Sequence, residues 1–161
     1  MLLMVLNVGI GAGSLGLANV KAEDWDTTLA TNLRGPMLCC RDALPVLADG
    51  SSIVFISSVA GITSGSRLPA YDASKAALGG LMRHVAREGA ARGIRANVVA
   101  PGLVDTPLGR LATAGRPSRA TTNVPFGRQA TAWEIAYAVL FFMHHAALLG
   151  LCARCRADAG V

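Results

Sequence analysis

Residues 70–102 open with Ala70-Tyr-Asp-Ala-Ser-Lys75 and close with Gly93-Ile-Arg-Ala-Asn-Val-Val-Ala-Pro-Gly102. Between these ends lies a long stretch rich in Ala, Leu and Arg. Ala70 to Arg92 reads as a helix stopped by Gly93, because glycine enters the left-handed C-cap without strain. Ile94 to Val99 reads as a buried strand, ended by the turn pair Pro101-Gly102. A long helix returning into an apolar strand is the unit from which parallel sheets are built.

The same alternation extends in both directions. Leu2 to Leu6 reads as a strand that ends in the glycine-rich turn Gly9-Ile-Gly-Ala-Gly13. Asp24 to Val46 reads as a second long helix, with Glu23 and Asp24 favouring its N-terminal end. Ser52 to Ile56 is a strand entered from the turn Ala48-Asp-Gly-Ser51. Loop and a short helix follow through Arg128, and Thr131 then caps a helix running through Ala136 to about His144. Glu134, three residues on, completes a capping box. The fold class is α/β, with a mainly parallel sheet in a single domain, 1–161. Ligands of such sheets gather at the carboxyl ends of the strands. Asn7-Val-Gly9, Ser57-Ser58 and Pro101-Gly102 each follow one.

The chain has 161 residues, 52% hydrophobic and 16% charged. That is ample material for one core and far from a disordered composition. The net charge of +5 rests on arginines scattered singly, with no basic run interleaved with aromatics. A nucleic-acid partner is therefore not expected. Met1 to Leu6 is too short to span a membrane, and Ala136 to Leu151 is interrupted by His144, His145 and Gly150, so no membrane segment is expected either. Cys39 and Cys40 read as buried helix thiols. Cys152-Ala-Arg-Cys155 stands without further ligands, so no metal site is expected. Free thiols fit a reducing, cytoplasmic setting.

Tyr71 and Lys75 are four residues apart, so a helix puts them on one face, one turn apart. A tyrosine phenol titrates near 10 in water, and a neighbouring ammonium favours the phenolate. Such a tyrosine exchanges a proton with a carbonyl or alcohol oxygen. Ser58 follows a strand and faces the start of this helix. Taken singly, an exposed Tyr/Lys pair and ordinary turn serines remain open as readings.

In combination, Ser58, Tyr71 and Lys75 resemble the short-chain dehydrogenase/reductase family. Asn32 in Thr31-Asn-Leu-Arg-Gly35 matches that family's helix asparagine. Asn7-Val-Gly9 resembles its Asn-Asn-Ala-Gly strand end. Asn97 to Gly102 and Val104-Asp-Thr-Pro107 resemble its Pro-Gly cofactor loop. These motifs extend from the N-terminus to about residue 142. The resemblance implies a partial Rossmann-like three-layer α/β/α sandwich, holding the C-terminal catalytic part. It implies Tyr71 as acid and base, with Lys75 lowering its pKa and holding the nicotinamide ribose. It implies Ser58 on the substrate oxygen and Asn32 holding a water that relays protons to Lys75. The cofactor, NAD or NADP, would be lined by Asn7, Gly9, Tyr71, Lys75, Pro101, Gly102, Val104 and Thr106. A homo-oligomer through the helices 24–46 and 70–92 is a further implication.

Two departures stand out. The family's opening strand and its Thr-Gly-x-x-x-Gly-x-Gly turn have no counterpart in these residues. With them goes the residue that chooses NAD or NADP. The remaining sheet is expected to present an open strand edge. Residues 143–157 are atypical, whereas Asp158-Ala-Gly-Val161 fits the end of the family pattern. Two readings follow: an NAD(P)-dependent oxidoreductase acting on a small carbonyl/alcohol substrate, or a non-catalytic remnant that dimerises.

Overall fold

Strands β1 (Leu3–Leu6), β2 (Ser52–Ile56), β3 (Arg95–Pro101) and β4 (Arg154–Ala157) pair in parallel, in the order β1-β2-β3-β4. The computed structural model describes residues 2–11, 16–63, 66–114, 126–144 and 154–157. Its helices are α1 (Ala22–Leu29), α2 (Gly35–Ala43), α3 (Pro69–Gly89), α4 (Pro107–Thr113) and α5 (Ala132–His144).

β2 and β3 are buried along almost their whole length, which is why they read as unbroken apolar runs rather than alternating ones. Register sorts their side chains between two cores. Leu6, Phe55 and Val98 are neighbours across the sheet and pack with Cys40 of α2 and Leu78, Met82 and Val85 of α3. Val54 and Val99 point the other way, onto Val139, Phe142 and Met143 of α5. The sheet is thus the middle of three layers, as the alternation of elements implies. Two polar side chains on that second face anchor α5. Ser52 Oγ donates to the Phe142 carbonyl at 3.1 Å, and the Arg95 guanidinium donates to Phe142 and Met143 carbonyls at 2.7 and 2.9 Å. They satisfy carbonyls that a helix end leaves without intrahelical partners.

β1 lies at the edge. Leu3, Val5 and Val8 are exposed, whereas Leu6 is buried. This is the open apolar edge that the sequence led one to expect.

Local signals explain the element ends. Gly93 takes the left-handed conformation at φ 64°, and the Ile94 amide reaches back to the Gly89 carbonyl at 3.0 Å, closing α3. At α5 the Thr131 hydroxyl accepts from the Glu134 amide at 3.3 Å, while the Glu134 carboxylate accepts from the Thr131 amide at 2.7 Å. This is the reciprocal capping box read from the sequence.

Three features differ from the sequence reading. The expected continuous helix 24–46 is two helices joined by a π turn at Ala30–Arg34, in which the Gly35 amide reaches the Ala30 carbonyl. Pro36 explains it. Its ring would strike the carbonyl of Asn32 and it offers no amide to that carbonyl, so the helix widens just before it. Within the atypical segment 143–157, Arg154–Ala157 forms β4 and extends the sheet beside β3. Of the adjacent thiols only Cys40 is buried; Cys39 is exposed. Neighbours on a helix point about 100° apart, so both cannot face the same core.

Among the described residues no helix is long and apolar enough to cross a membrane. No group of three or more His, Cys, Asp or Glu side chains is placed to hold a metal among them either. The side chains of Cys152 and Cys155 lie outside the described residues.

Candidate active site

Lys75 is the centre of the arrangement. It is 4% exposed, and its ammonium donates to the Val8 carbonyl at 2.8 Å and to the Ile56 carbonyl at 2.9 Å. These carbonyls follow β1 and end β2, so one side chain from α3 ties two strand ends together. An ammonium has three donors. Two are committed to backbone, which leaves one for a ligand. Burial without a carboxylate partner pushes the Lys75 pKa down to about 8.

Tyr71 is one turn earlier on α3. Lys75 Nζ lies 5.8 Å from its ring centroid. Burial raises the Tyr71 pKa above its ordinary value; a hydrogen bond with the Ser58 side chain pulls the other way, and the Asp72 charge adds to the rise. The resemblance implied a lowered tyrosine. The shift here is opposite because burial of the phenol outweighs the pull of Ser58.

Ser58 ends the turn after β2. Its Oγ also accepts from the Ala60 amide at 3.2 Å, capping the 3-10 turn Val59–Gly61. Serine suits such a cap, because its side-chain oxygen takes a backbone amide that the turn leaves free.

Asn32 is fully buried in the π turn. Its Oδ1 accepts from the Ile10 amide at 2.8 Å, and its Nδ2 donates to the Ile10 carbonyl at 2.9 Å and to Ser74 Oγ at 3.0 Å. Ser74 in turn donates to the Tyr71 carbonyl at 2.8 Å. Asn32 therefore grips the turn after β1 and fastens it to α3.

Gly9 lies on that turn. A Cβ there would come 2.9 Å from Lys75 Nζ and 3.2 Å from its Cε, so the turn passes as close to the lysine as glycine permits. Asn7, two residues before it, is exposed.

At the end of β3, Pro101 is buried and Gly102 half-buried. Val104 forms a parallel bridge with Ala130, which fixes the loop's course. Thr106 Oγ1 accepts from the Gly109 amide at 3.1 Å, capping α4. Its hydroxyl also donates to the Val104 carbonyl at 3.5 Å, so both its oxygen and its proton have structural duties.

Bonds from Asn32 and Lys75 thus tie the turn after β1, the end of β2 and the π turn to α3, which carries Tyr71, while Ser58 lies in the turn after β2. Asn7 and Gly9 follow β1, with Gly9 against Lys75, and Pro101, Gly102, Val104 and Thr106 end or follow β3. Sequence reasoning assigned Ser57 to turn chemistry and did not single out Ser74. Ser57 Oγ in fact donates to the Lys75 carbonyl at 2.7 Å. Its place beside Ser58 was the available signal, but the partner lies 18 residues away.

A spare ammonium donor beside the closely packed Gly9 suits the ribose side of a nicotinamide cofactor, and the residues present fit that part of it. The pyrophosphate side is another matter. The first helical turn described after Gly11 is the 3-10 turn Leu17–Asn19, too short to offer a phosphate the N-terminus of a helix.

A family model described as enoyl-(acyl carrier protein) reductase matches residues 3–161. A short-chain dehydrogenase/reductase of Pyricularia oryzae is 38% identical over 135 residues, 81% of this chain and 50% of that protein. Carbonyl reductase family member 4 of Danio rerio is 40% identical over 149 residues, 91% of this chain and 61% of that protein. The chain thus spans about half to three fifths of the length of these relatives. A solved short-chain dehydrogenase/reductase of Brucella melitensis, described as a glucose/ribitol dehydrogenase, superposes with a TM-score of 0.87 at 28% identity. It covers 99% of this chain, which covers 65% of it. Fold and sequence agree, and the chain belongs to the short-chain dehydrogenase/reductase family, whose members are NAD(P)-dependent oxidoreductases.

Proposed function

We propose that this chain carries the proton-transfer centre of an NAD(P)-dependent oxidoreductase acting on a small carbonyl/alcohol pair. The observation that carries this reading is the buried Lys75, bonded to backbone carbonyls after β1 and at the end of β2, with Tyr71 one helical turn away and the Ser58 side chain near enough to draw its pKa down.

In the direction of carbonyl reduction, Tyr71 donates its phenolic proton to the substrate oxygen. A raised pKa keeps that proton on the tyrosine at rest, the state an acid needs. Ser58 donates a hydrogen bond to the same oxygen as negative charge builds on it. The phenolate left behind is stabilised by the charge of the Lys75 ammonium, which is mostly protonated at neutral pH. Lys75 would hold the ribose with its third donor, and a nicotinamide cofactor supplies the hydride when bound. Asn7, Gly9, Pro101, Gly102, Val104 and Thr106 would flank it. Asn32 keeps the turn after β1 in register with Lys75. In the oxidative direction Tyr71 takes the alcohol proton instead.

Self-association through the helices spanning 24–46 and 70–92 belongs to the same reading. Sedimentation of the purified chain tests it. The function is tested by following NADH or NADPH consumption on a panel of small ketones and aldehydes, with Tyr71→Phe alongside. Turnover that vanishes in the variant supports the reading, and turnover that survives it removes Tyr71 from its role.

A further inference from the structure

We infer that Ser57 is a positioning residue, whose hydroxyl seats the helix carrying Tyr71 and Lys75 at the height along β2 that brings Ser58 to Tyr71. The inference rests on the reading of that trio as the reacting group.

Ser57 is buried, and its hydrogen bonds go to backbone carbonyls rather than to either of the proposed reacting oxygens. Its amide continues the sheet, donating to the Val99 carbonyl at 2.8 Å. Its Oγ donates to the Lys75 carbonyl at 2.7 Å. A carbonyl inside a helix already accepts from the amide four residues on. The Ser57 bond is therefore not needed to form α3; it joins α3 to the end of β2. The joint is reciprocal, since the neighbouring Ile56 carbonyl accepts from the Lys75 ammonium at 2.9 Å. Lys75 is gripped at both its backbone and its side-chain end by two consecutive residues, and Ser58 is the third.

A second contact points the same way. A Cβ on Gly61 would lie 2.6 Å from the Lys75 carbonyl carbon and 2.7 Å from the Ala76 nitrogen. These are backbone atoms of a helix and cannot swing aside. The turn carrying Ser58 therefore rests directly on the Lys75 peptide, and glycine is what allows it. Ser57 pulls the helix to the strand end, and Gly61 sets how close the turn can come.

The sequence offers a clean readout, because Lys21 and Lys75 are its only lysines. Selective labelling of lysine side chains gives two NMR signals whose titration can be followed, and melting curves are recorded on the same samples. In Ser57→Ala the Lys75 signal should shift and its midpoint rise by about one unit toward the ordinary lysine value, as the seat loosens and water reaches it. Ser57→Thr, which keeps the hydroxyl, should restore the wild-type midpoint. Gly61→Ala should displace the same signal from the opposite side of the joint. A Lys75 signal and midpoint unchanged in Ser57→Ala or in Gly61→Ala, with only the melting temperature lowered, would overturn the inference. Turnover is not needed for this decision. A wild-type chain without any reductase activity defeats the proposed function and leaves the titration to decide on Ser57.

Discussion

The Lys75 ammonium donates to the backbone carbonyl of Val8 at 2.8 Å, across 67 residues of sequence. Through this bond a side chain on the long helix α3 reads the position of the first strand. The same ammonium holds the end of the second strand through Ile56. Removing it should disturb a cofactor site and the fold around it together.

Tyr71→Phe deletes the phenolic oxygen and little else. Turnover should fall by about two orders of magnitude or more, the range that positioned acid–base groups contribute. The far-ultraviolet circular dichroism should match the wild type. Kinetics and spectrum on one preparation check both halves.

The lysine also predicts how stability follows pH. In the unfolded chain it keeps its proton to about 10.4. In the fold, burial lowers that to about 8. Between these values the unfolded state binds more protons, so the contribution of Lys75 to stability rises with pH across the window. Below about 8 both states are protonated, and the cost of burying the charge is fully present. Cys40, pushed up to about 12, acts in the opposite sense above 9.0 because the unfolded thiol loses its proton first. Comparing wild type with Lys75→Met isolates the lysine. The melting temperature of wild type relative to the variant should climb between pH 8 and about 10. A difference that stays flat over this range would contradict the burial of a charged lysine.

Asn32 and Ser74 are both fully buried and satisfy each other. Ser74→Ala leaves an Asn32 N–H without an acceptor and should cost about 1–3 kcal/mol. Asn32→Ala releases the Ile10 amide as well, so exchange of that amide should speed up in hydrogen-exchange NMR. Slow exchange retained in Asn32→Ala would show that the turn after β1 is held by something else.

The vicinal cysteines should differ in reactivity. Cys39 is exposed, whereas Cys40 is buried and its thiol is pushed up to about 12 by burial. The thiolate is the reactive form. Brief alkylation of the folded chain near pH 8, followed by peptide mapping, should label Cys39 and spare Cys40. Equal labelling would mean that the packing of α2 against the sheet is not as described.

Much of this was legible from residue order alone. Alternating apolar runs and long helices gave the parallel sheet, and Gly93 and Thr131 with Glu134 marked element ends through local chemistry. Ser58, Tyr71, Lys75 and Asn32 could be singled out because they resemble one family's spacing. What stayed hidden depends on contacts across the chain. The π turn came from Pro36 acting on the carbonyl of Asn32, a backbone effect that side-chain periodicity does not register. The raised Tyr71 pKa comes from burial by other elements, and the Lys75 ammonium is turned to the carbonyls of Val8 and Ile56, which lie far away in sequence. Ser57 looked like any turn serine because its partner lies on another element. β4 fell in a segment whose composition gave no strand signal, since Arg154 and Arg156 alternate with small residues.

The central claim is that the Lys75-centred strand ends form a nicotinamide cofactor site. Titration of NADH and NADPH into the folded chain and into Lys75→Met, followed by fluorescence or calorimetry, tests it most directly. The account predicts saturable binding of one or both by the wild type, weakened about tenfold or more in the variant, as loss of a charged hydrogen bond requires. A folded wild-type chain that binds neither, or binds equally well without Lys75, would contradict it.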